Sequence, residues 1–242
     1  VTHDVKTIPP LFSLFACFLA AQVQGAERPA FALIPPQRAN ELLLMKTTPE
    51  ARTACQSADD KMLREPHPLK TVHIEGTLPH HGLYDRSKEA KKDWTAIRDM
   101  ALAYRLTGED KYLKEANRFL LSWLDVYQLS FNPIDEGGLD ALMVGYDLLK
   151  RNLPATTESK MQLFLRRIAH GYIQRIESQK KPDNGNWQSH RIKLITLSAF
   201  ALGDAGLISK CRKVFQRHIE LNIYPDGSVW DFYHRDALHY EA

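Results

Sequence analysis

Three polar stretches interrupt a largely apolar-patterned chain, and their side chains define a narrow range of chemistry. The first is Ser130-Phe131-Asn132-Pro133-Ile134-Asp135-Glu136. The second is Asp183-Asn184-Gly185-Asn186-Trp187-Gln188-Ser189-His190-Arg191. The third runs from Pro225-Asp226-Gly227 to Tyr240 and packs Trp230, Tyr233, His234, Arg235, His239 and Tyr240 into 11 residues. Together they offer an amide, imidazoles, a guanidinium and a phenol, with no nucleophile-elbow serine and no phosphate loop. That set suits proton abstraction beside a carboxylate, as at the weakly acidic C5 hydrogen of a uronic-acid residue. Amide and guanidinium donors stabilise the carboxylate as negative charge shifts onto it, each worth ~3 kcal/mol by analogy with oxyanion donors. A His or Tyr then takes the C5 proton and a phenol protonates the leaving glycosidic oxygen; positioned acid/base groups supply about 10²–10⁴-fold. Glycoside hydrolysis needs two opposed carboxylates instead, and Asp135, Glu136, Asp183, Asp226 and Asp231 keep it open.

Spacing places these groups at helix starts. Asn132 precedes a proline, where capping of free N–H groups is the plainer explanation of an asparagine. Asn186 lies near a helix N-terminus, with Trp187 one step on and His190 at i+4, on the same face. The helix dipole there favours bound anions, although an N-cap beside a surface histidine would look the same. Arg235 and His239 are also i and i+4 if the third stretch turns helical; an aromatic packing corner is its alternative. The Pro/Gly/His-rich segment from Pro66 to Asp85 does not read as a helix. Loops longer than about 12–15 residues are usually functional or disordered, so its adjacent His80 and His81, with Tyr84 close by, are candidates for substrate contact.

The elements that must position these stretches are helices. Ser87–Leu106 carries Trp94, Ile97, Ala101 and Tyr104 at steps of three and four, with Ser87 as N-cap and Gly108 as stop. Asp110–Tyr127, Asp135–Lys150, Thr157–Ile176, Trp187–Leu202 and Leu207–Leu221 repeat the pattern, and Pro36–Lys46 and Pro49–Leu63 precede them. Strand signals are nearly absent, the best being Thr71-Val72-His73-Ile74. Helices with short Gly or Pro punctuation imply stacked antiparallel pairs. Ala101-Leu102-Ala103-Tyr104-Arg105-Leu106-Thr107-Gly108 has a tetratricopeptide flavour, but no 34-residue period follows. The fold class expected is therefore all-α, a toroid of helical hairpins around a central cleft, in preference to an open solenoid.

Charge and targeting signals bound the partners. Thirty-two Lys and Arg face 29 Asp and Glu, a net charge of +3. That excess does not describe a nucleic-acid binder, which shows a clustered basic face; it fits an anionic substrate held by a few placed cations. Lys6 precedes the apolar run Leu11–Ala21, which ends in Gln24-Gly25-Ala26, the pattern of a secretory signal over residues 1–26. At 11 residues the run is too short to span a bilayer as a helix, which takes about 20. The expectation is a periplasmic or secreted domain over residues 27–242, with no membrane partner after signal removal and a monomeric state. The first residue is Val, which implies an alternative start or a fragment. Cys55 and Cys211 are compatible with a disulfide in an exported protein and equally with free thiols. Neither they nor the histidines show metal-ligand spacing.

At the three polar stretches, and from His73 to Leu106, the chain resembles the alginate lyase family of polysaccharide lyases. The resemblance implies an incomplete α/α toroid and metal-independent β-elimination, with Asn and Arg neutralising the substrate carboxylate and His and Tyr exchanging protons. Carried over to this sequence, Arg235 matches the arginine and His190 the histidine. The asparagine is Asn186, which shares a motif with His190, or Asn132, 58 residues upstream (190 − 132). The tyrosine is Tyr240 or lies beyond residue 242. Substrate contacts are expected from Asn132, Trp187, His80, His81, His234 and His239. Such a toroid normally holds more helices, so truncation at the C-terminus is also expected. No cofactor and no metal are expected: no acidic spacing resembles a calcium loop, and a cation beside Arg235 would be repelled. The competing readings are a non-catalytic helical-repeat carbohydrate-binding or scaffold protein and a glycoside hydrolase.

Overall fold

The computed structural model describes residues 32–181 and 185–234. Ten helices follow one another in the described chain: α1 (Pro36–Leu44), α2 (Pro49–Met62), α3 (Gly82–Thr107), α4 (Asp110–Val126), α5 (Pro133–Glu136), α6 (Leu139–Leu149), α7 (Ala155–Glu177), α8 (Asn186–Leu202), α9 (Ala205–Asn222) and α10 (Trp230–His234). Among the described residues there is no strand, only an isolated bridge between Ile223 and Val229. The Thr71–Ile74 stretch, the best strand candidate, runs as irregular chain.

The long helices form two layers. In one, α3 packs on α6 and α6 on α8; in the other, α2 contacts α4 and α4 contacts α7, while α9 packs on α8. The apolar faces read from the sequence make the interface. Trp94 of α3 and Trp123 of α4 are each 1% exposed and meet edge to face at 5.2 Å, with Tyr127 against both at 5.9 and 5.4 Å. Such aromatic pairs add to the burial of their large surfaces. Helix α6 approaches α3 closely because Gly145 has no side chain: a Cβ there would lie 2.8 Å from Ile97 Cγ2 and 3.0 Å from the Arg98 backbone nitrogen.

Because the chain alternates between layers, its connections fall at two ends. At one end they are short: residues 108–109, 150–154 and 203–204. Gly108 (φ 75°) and Gly203 (φ 64°) close two helices there in the left-handed conformation, which glycine adopts without strain. The connections at the other end are long: residues 63–81, 127–138 around α5, and 178–185. All three polar stretches begin at this end.

Two expectations about elements are corrected. The single helix expected over Asp135–Lys150 is split at Gly137-Gly138 into α5 and α6. The split is fixed from both sides: Lys91 Nζ donates to the Asp135 carbonyl at 2.6 Å and Lys193 Nζ to the Gly137 carbonyl at 2.9 Å. Ser87 is not an N-cap. Helix α3 starts five residues earlier, at Gly82, and the buried Ser87 Oγ accepts the backbone N–H of His73 at 3.0 Å. Cys55 and Cys211 are free thiols on α2 and α9.

Candidate functional site

Buried carboxylates hold the long loops in place. Asp93, 0% exposed, accepts the His67 N–H at 2.6 Å and the Trp123 indole at 2.9 Å. Asp135 accepts the backbone N–H groups of Ile74 and Glu75 through Oδ1, at 2.7 and 2.9 Å, and meets His73 Nδ1 through Oδ2 at 2.9 Å. Glu136 accepts from Ser130 N–H, Ser130 Oγ, Phe131 N–H and Tyr127 on Oε1, and from Tyr172 on Oε2. A carboxylate can accept several donors at once, which suits it to pin irregular backbone away from water. Burial nonetheless pushes the Glu136 carboxyl up, against the lowering effect of those donors, and burial together with the Glu136 charge pushes the Tyr127 and Tyr172 phenols up.

These anchors converge on α5. Asn132 is its N-cap, with Oδ1 accepting from Ile134 N–H at 3.0 Å and Asp135 N–H at 3.3 Å. The acceptor limb of the amide is thereby turned to the helix, and the NH₂ limb is left on the other side. The preceding Phe131 sits at φ 56°, an uncommon conformation for a residue with a side chain and one that clusters at functional sites. Its ring lies on the bare backbone of α7 at Gly171, where a Cβ would come 2.0 Å from Phe131 Cε1, and meets Tyr172 edge to face at 5.5 Å.

Asn132 opens into a cavity of about 480 Å³ between the long loops and the first turn of α8. His73, Arg175, Trp187 and Arg191 line it with Asn132, and the Arg191 guanidinium lies over the Trp187 ring at 5.7 Å. The one carboxylate in the lining, Asp135, is 1% exposed and occupied by three donors. The cavity thus offers two guanidinium groups, an amide donor, an imidazole and an indole to an anionic, ring-bearing molecule.

None of the other candidate residues in the described chain lines this cavity. His190 is half-buried on α8, and its ring faces Gly137, where a Cβ would come 3.4 Å from Nδ1. Burial, with Lys193 and Lys91 nearby, holds its pKa below the usual imidazole range against the opposing charge of Asp140. Lys91 is itself pushed down to about 8, chiefly by burial. Asn186 opens α8 one residue before Trp187. His80 and His81 are exposed ahead of α3 and do not line the cavity; the His80 N–H is held by Asp85 at 3.1 Å. His234 is exposed on α10, stacked on Trp230 at 4.6 Å and hydrogen-bonded to the Tyr224 hydroxyl at 3.0 Å. Arg235, His239 and Tyr240 lie outside the described residues, as do Asp183 and the 1–26 segment. Among the acids considered for hydrolysis, Asp226 is exposed and ties its own turn through Ser228 and Tyr233, and Asp231 is 7% exposed.

Sequence reasoning missed His73 and Arg175 as lining residues and gave Arg191 no role of its own. Arg191 was detectable at i+4 from Trp187, on one face with it. His73 and Arg175 carry no local signal, since their neighbours in the cavity are distant in sequence. Among the described residues, no three His, Cys, Asp or Glu side chains gather as metal ligands would.

No curated protein sequence matches the chain. An alginate lyase from Bacteroides ovatus has a similar fold, with a TM-score of 0.63 at 14% identity, over 84% of this chain and 69% of that one. Its likeness identifies the two helix layers as part of an α/α toroid. The sequence itself matches the alginate lyase family over residues 44–242, a span that takes in α2 to α10 and all three polar stretches. The chain belongs to the alginate lyase family and is a polysaccharide lyase built on an α/α toroid.

Proposed function

We propose that the protein cleaves a uronate-containing polysaccharide, alginate in the first instance, by β-elimination without a metal ion. The observation that carries this reading is the cavity lining: Asn132, Arg175 and Arg191 supply donors for a carboxylate, while the one carboxylate present is buried and occupied. Hydrolysis by an opposed carboxylate pair has no counterpart in this lining.

In the proposed reaction the Asn132 NH₂ group and Arg235 hold the substrate carboxylate. The first turn of α8 adds the positive end of its dipole beside Trp187. A base removes the C5 proton, the electron pair forms the C4=C5 double bond, and the C4–O bond breaks. The leaving oxygen takes a proton from a phenol, assigned to Tyr240. His190 enters as base or as partner to the base. Export by the 1–26 leader to the periplasm or exterior fits a polymeric substrate.

The test is product chemistry on polyuronates in the presence of EDTA. Elimination yields an unsaturated uronate that absorbs in the ultraviolet, at a rate unchanged by chelation. Saturated reducing ends would establish hydrolysis. Loss of activity on chelation, restored by Ca²⁺, would reassign the carboxylate neutraliser to a metal.

A further inference from the structure

His190 is the histidine matched to the family, yet a different imidazole shares the cavity with Asn132. His73 lies on the extended chain ahead of α3, and its side chain is 44% exposed on the cavity wall. Its ring is held at one nitrogen, because Nδ1 lies 2.9 Å from Asp135 Oδ2. A carboxylate oxygen accepts, so in the neutral ring Nδ1 carries the hydrogen and Nε2 the lone pair. Nε2 sits on the ring edge opposite the buried Asp135.

The backbone around His73 is fixed as firmly as the ring. Its own N–H donates to Ser87 Oγ at 3.0 Å, and the next two N–H groups donate to the same Asp135 that orients the imidazole. Asp135 is three residues from Asn132, whose side chain caps the turn that carries it. One short helical turn therefore sets both the amide and the imidazole, which is the preorganisation a proton transfer at a fixed carbon needs. Among the described residues, His190 has no carboxylate hydrogen-bonded to its ring and is flanked by Lys91 and Lys193.

We propose that His73 is the catalytic base: Nε2 takes the C5 proton of the uronate whose carboxylate Asn132 holds. This assignment rests on the elimination reading above. The C–H pair becomes the C4=C5 double bond, the glycosidic oxygen leaves with a proton from the phenolic acid, and Asp135 stabilises the imidazolium formed at His73. Both groups recover their starting protonation by exchange with water, so no oxidant or co-reactant is required. The orienting carboxylate acts as in other carboxylate–histidine pairs, by fixing tautomer and direction. His190 is then the partner and not the base.

The decisive variant is His73→Asn in the full chain. Its amide nitrogen reaches the Nδ1 position and keeps a donor toward Asp135, but it has no basic nitrogen facing the cavity. The expected result is an unchanged melting temperature and a kcat for unsaturated product lower by about 10²–10⁴-fold, with KM within a few-fold. Free imidazole should restore part of the rate to His73→Ala and none to Asn132→Asp. In ¹⁵N spectra of the wild type, the His73 ring should show a protonated Nδ1 and a bare Nε2. Near-normal kcat in His73→Asn, or a protonated Nε2 in the resting enzyme, would overturn the assignment. Failure of the wild type to make unsaturated product from any polyuronate would instead sink the elimination reading.

Discussion

The two ends of the helix layers solve the same topological problem differently. Where α3 meets α4 and α8 meets α9, two residues suffice, and Gly108 and Gly203 close the turns with no Cβ contact within 4 Å. At the opposite end the chain takes 63–81, 127–138 and 178–185 to make equivalent crossings. Those loops carry backbone groups that no helix satisfies, and Asp93, Asp135 and Glu136 are buried to satisfy them. Ordering long loops costs conformational entropy. Short turns show that the fold does not require them, so their retention at one end marks where the fold is put to use.

The largest expected effects come from breaking the proposed chemistry. Arg235→Ala should abolish turnover with little loss of fold, because a guanidinium fork matches a carboxylate. His190→Ala should lower kcat by about a hundredfold or more with a smaller change in KM. Steady-state kinetics beside a thermal melt check both; retained turnover would remove the residue from the site.

A paired substitution compares the two ends directly. Gly171→Ala would gain helix propensity elsewhere, but here the new methyl meets the Phe131 ring. Overpacking of this kind costs ~1–3 kcal/mol, and displacing Phe131 should also lower activity by moving Asn132. Gly108→Ala meets no neighbour and suffers only its φ of 75°, a cost of about 1 kcal/mol, and should leave the rate per folded molecule unchanged. Denaturation midpoints with specific activities separate the two outcomes. Equal activity losses would contradict the division between ends.

The smallest effect is electrostatic. The His190 pKa lies below its usual range through burial first and Lys193 next, with Asp140 opposing. Removing the cation in Lys193→Met leaves Asp140 to favour imidazolium, so the His190 midpoint in an NMR titration should move to higher pH. A downward move would show that the Lys193 charge does not act on His190.

Much of the scaffold is legible in the sequence. Ala116, Leu120 and Trp123 lie on the buried stripe of α4 with Leu113 half-buried at its edge, and Gly108 and Gly203 mark real stops. The break between α5 and α6 is not legible, since it depends on Lys91 and Lys193, which reach in from two other helices. Asn132 and Trp187 were recognisable by type and by their place at helix starts, and both line the cavity. His73 was hidden because Asp135, the residue that gives it a role, is 62 positions away. Asp135 and Glu136 looked like hydrolytic acids by type alone. Only burial and donors distinguish a loop anchor from a catalytic acid.

The Asn132 amide is the group on which the proposed carboxylate site depends most directly. Asn132→Asp keeps an oxygen to cap α5, a position where Asp and Asn are equally good, but replaces the NH₂ donor with an anionic acceptor. Initial rates of unsaturated product, beside the same measurement on Asn186→Ala, isolate the donor from the cap. The predicted result is an unchanged melting temperature and a rate lower by about 10²–10³-fold in Asn132→Asp, the scale of losing one oxyanion donor, with Asn186→Ala far less affected. Near-normal turnover in Asn132→Asp with collapse in Asn186→Ala would contradict the account and move the carboxylate site to the start of α8.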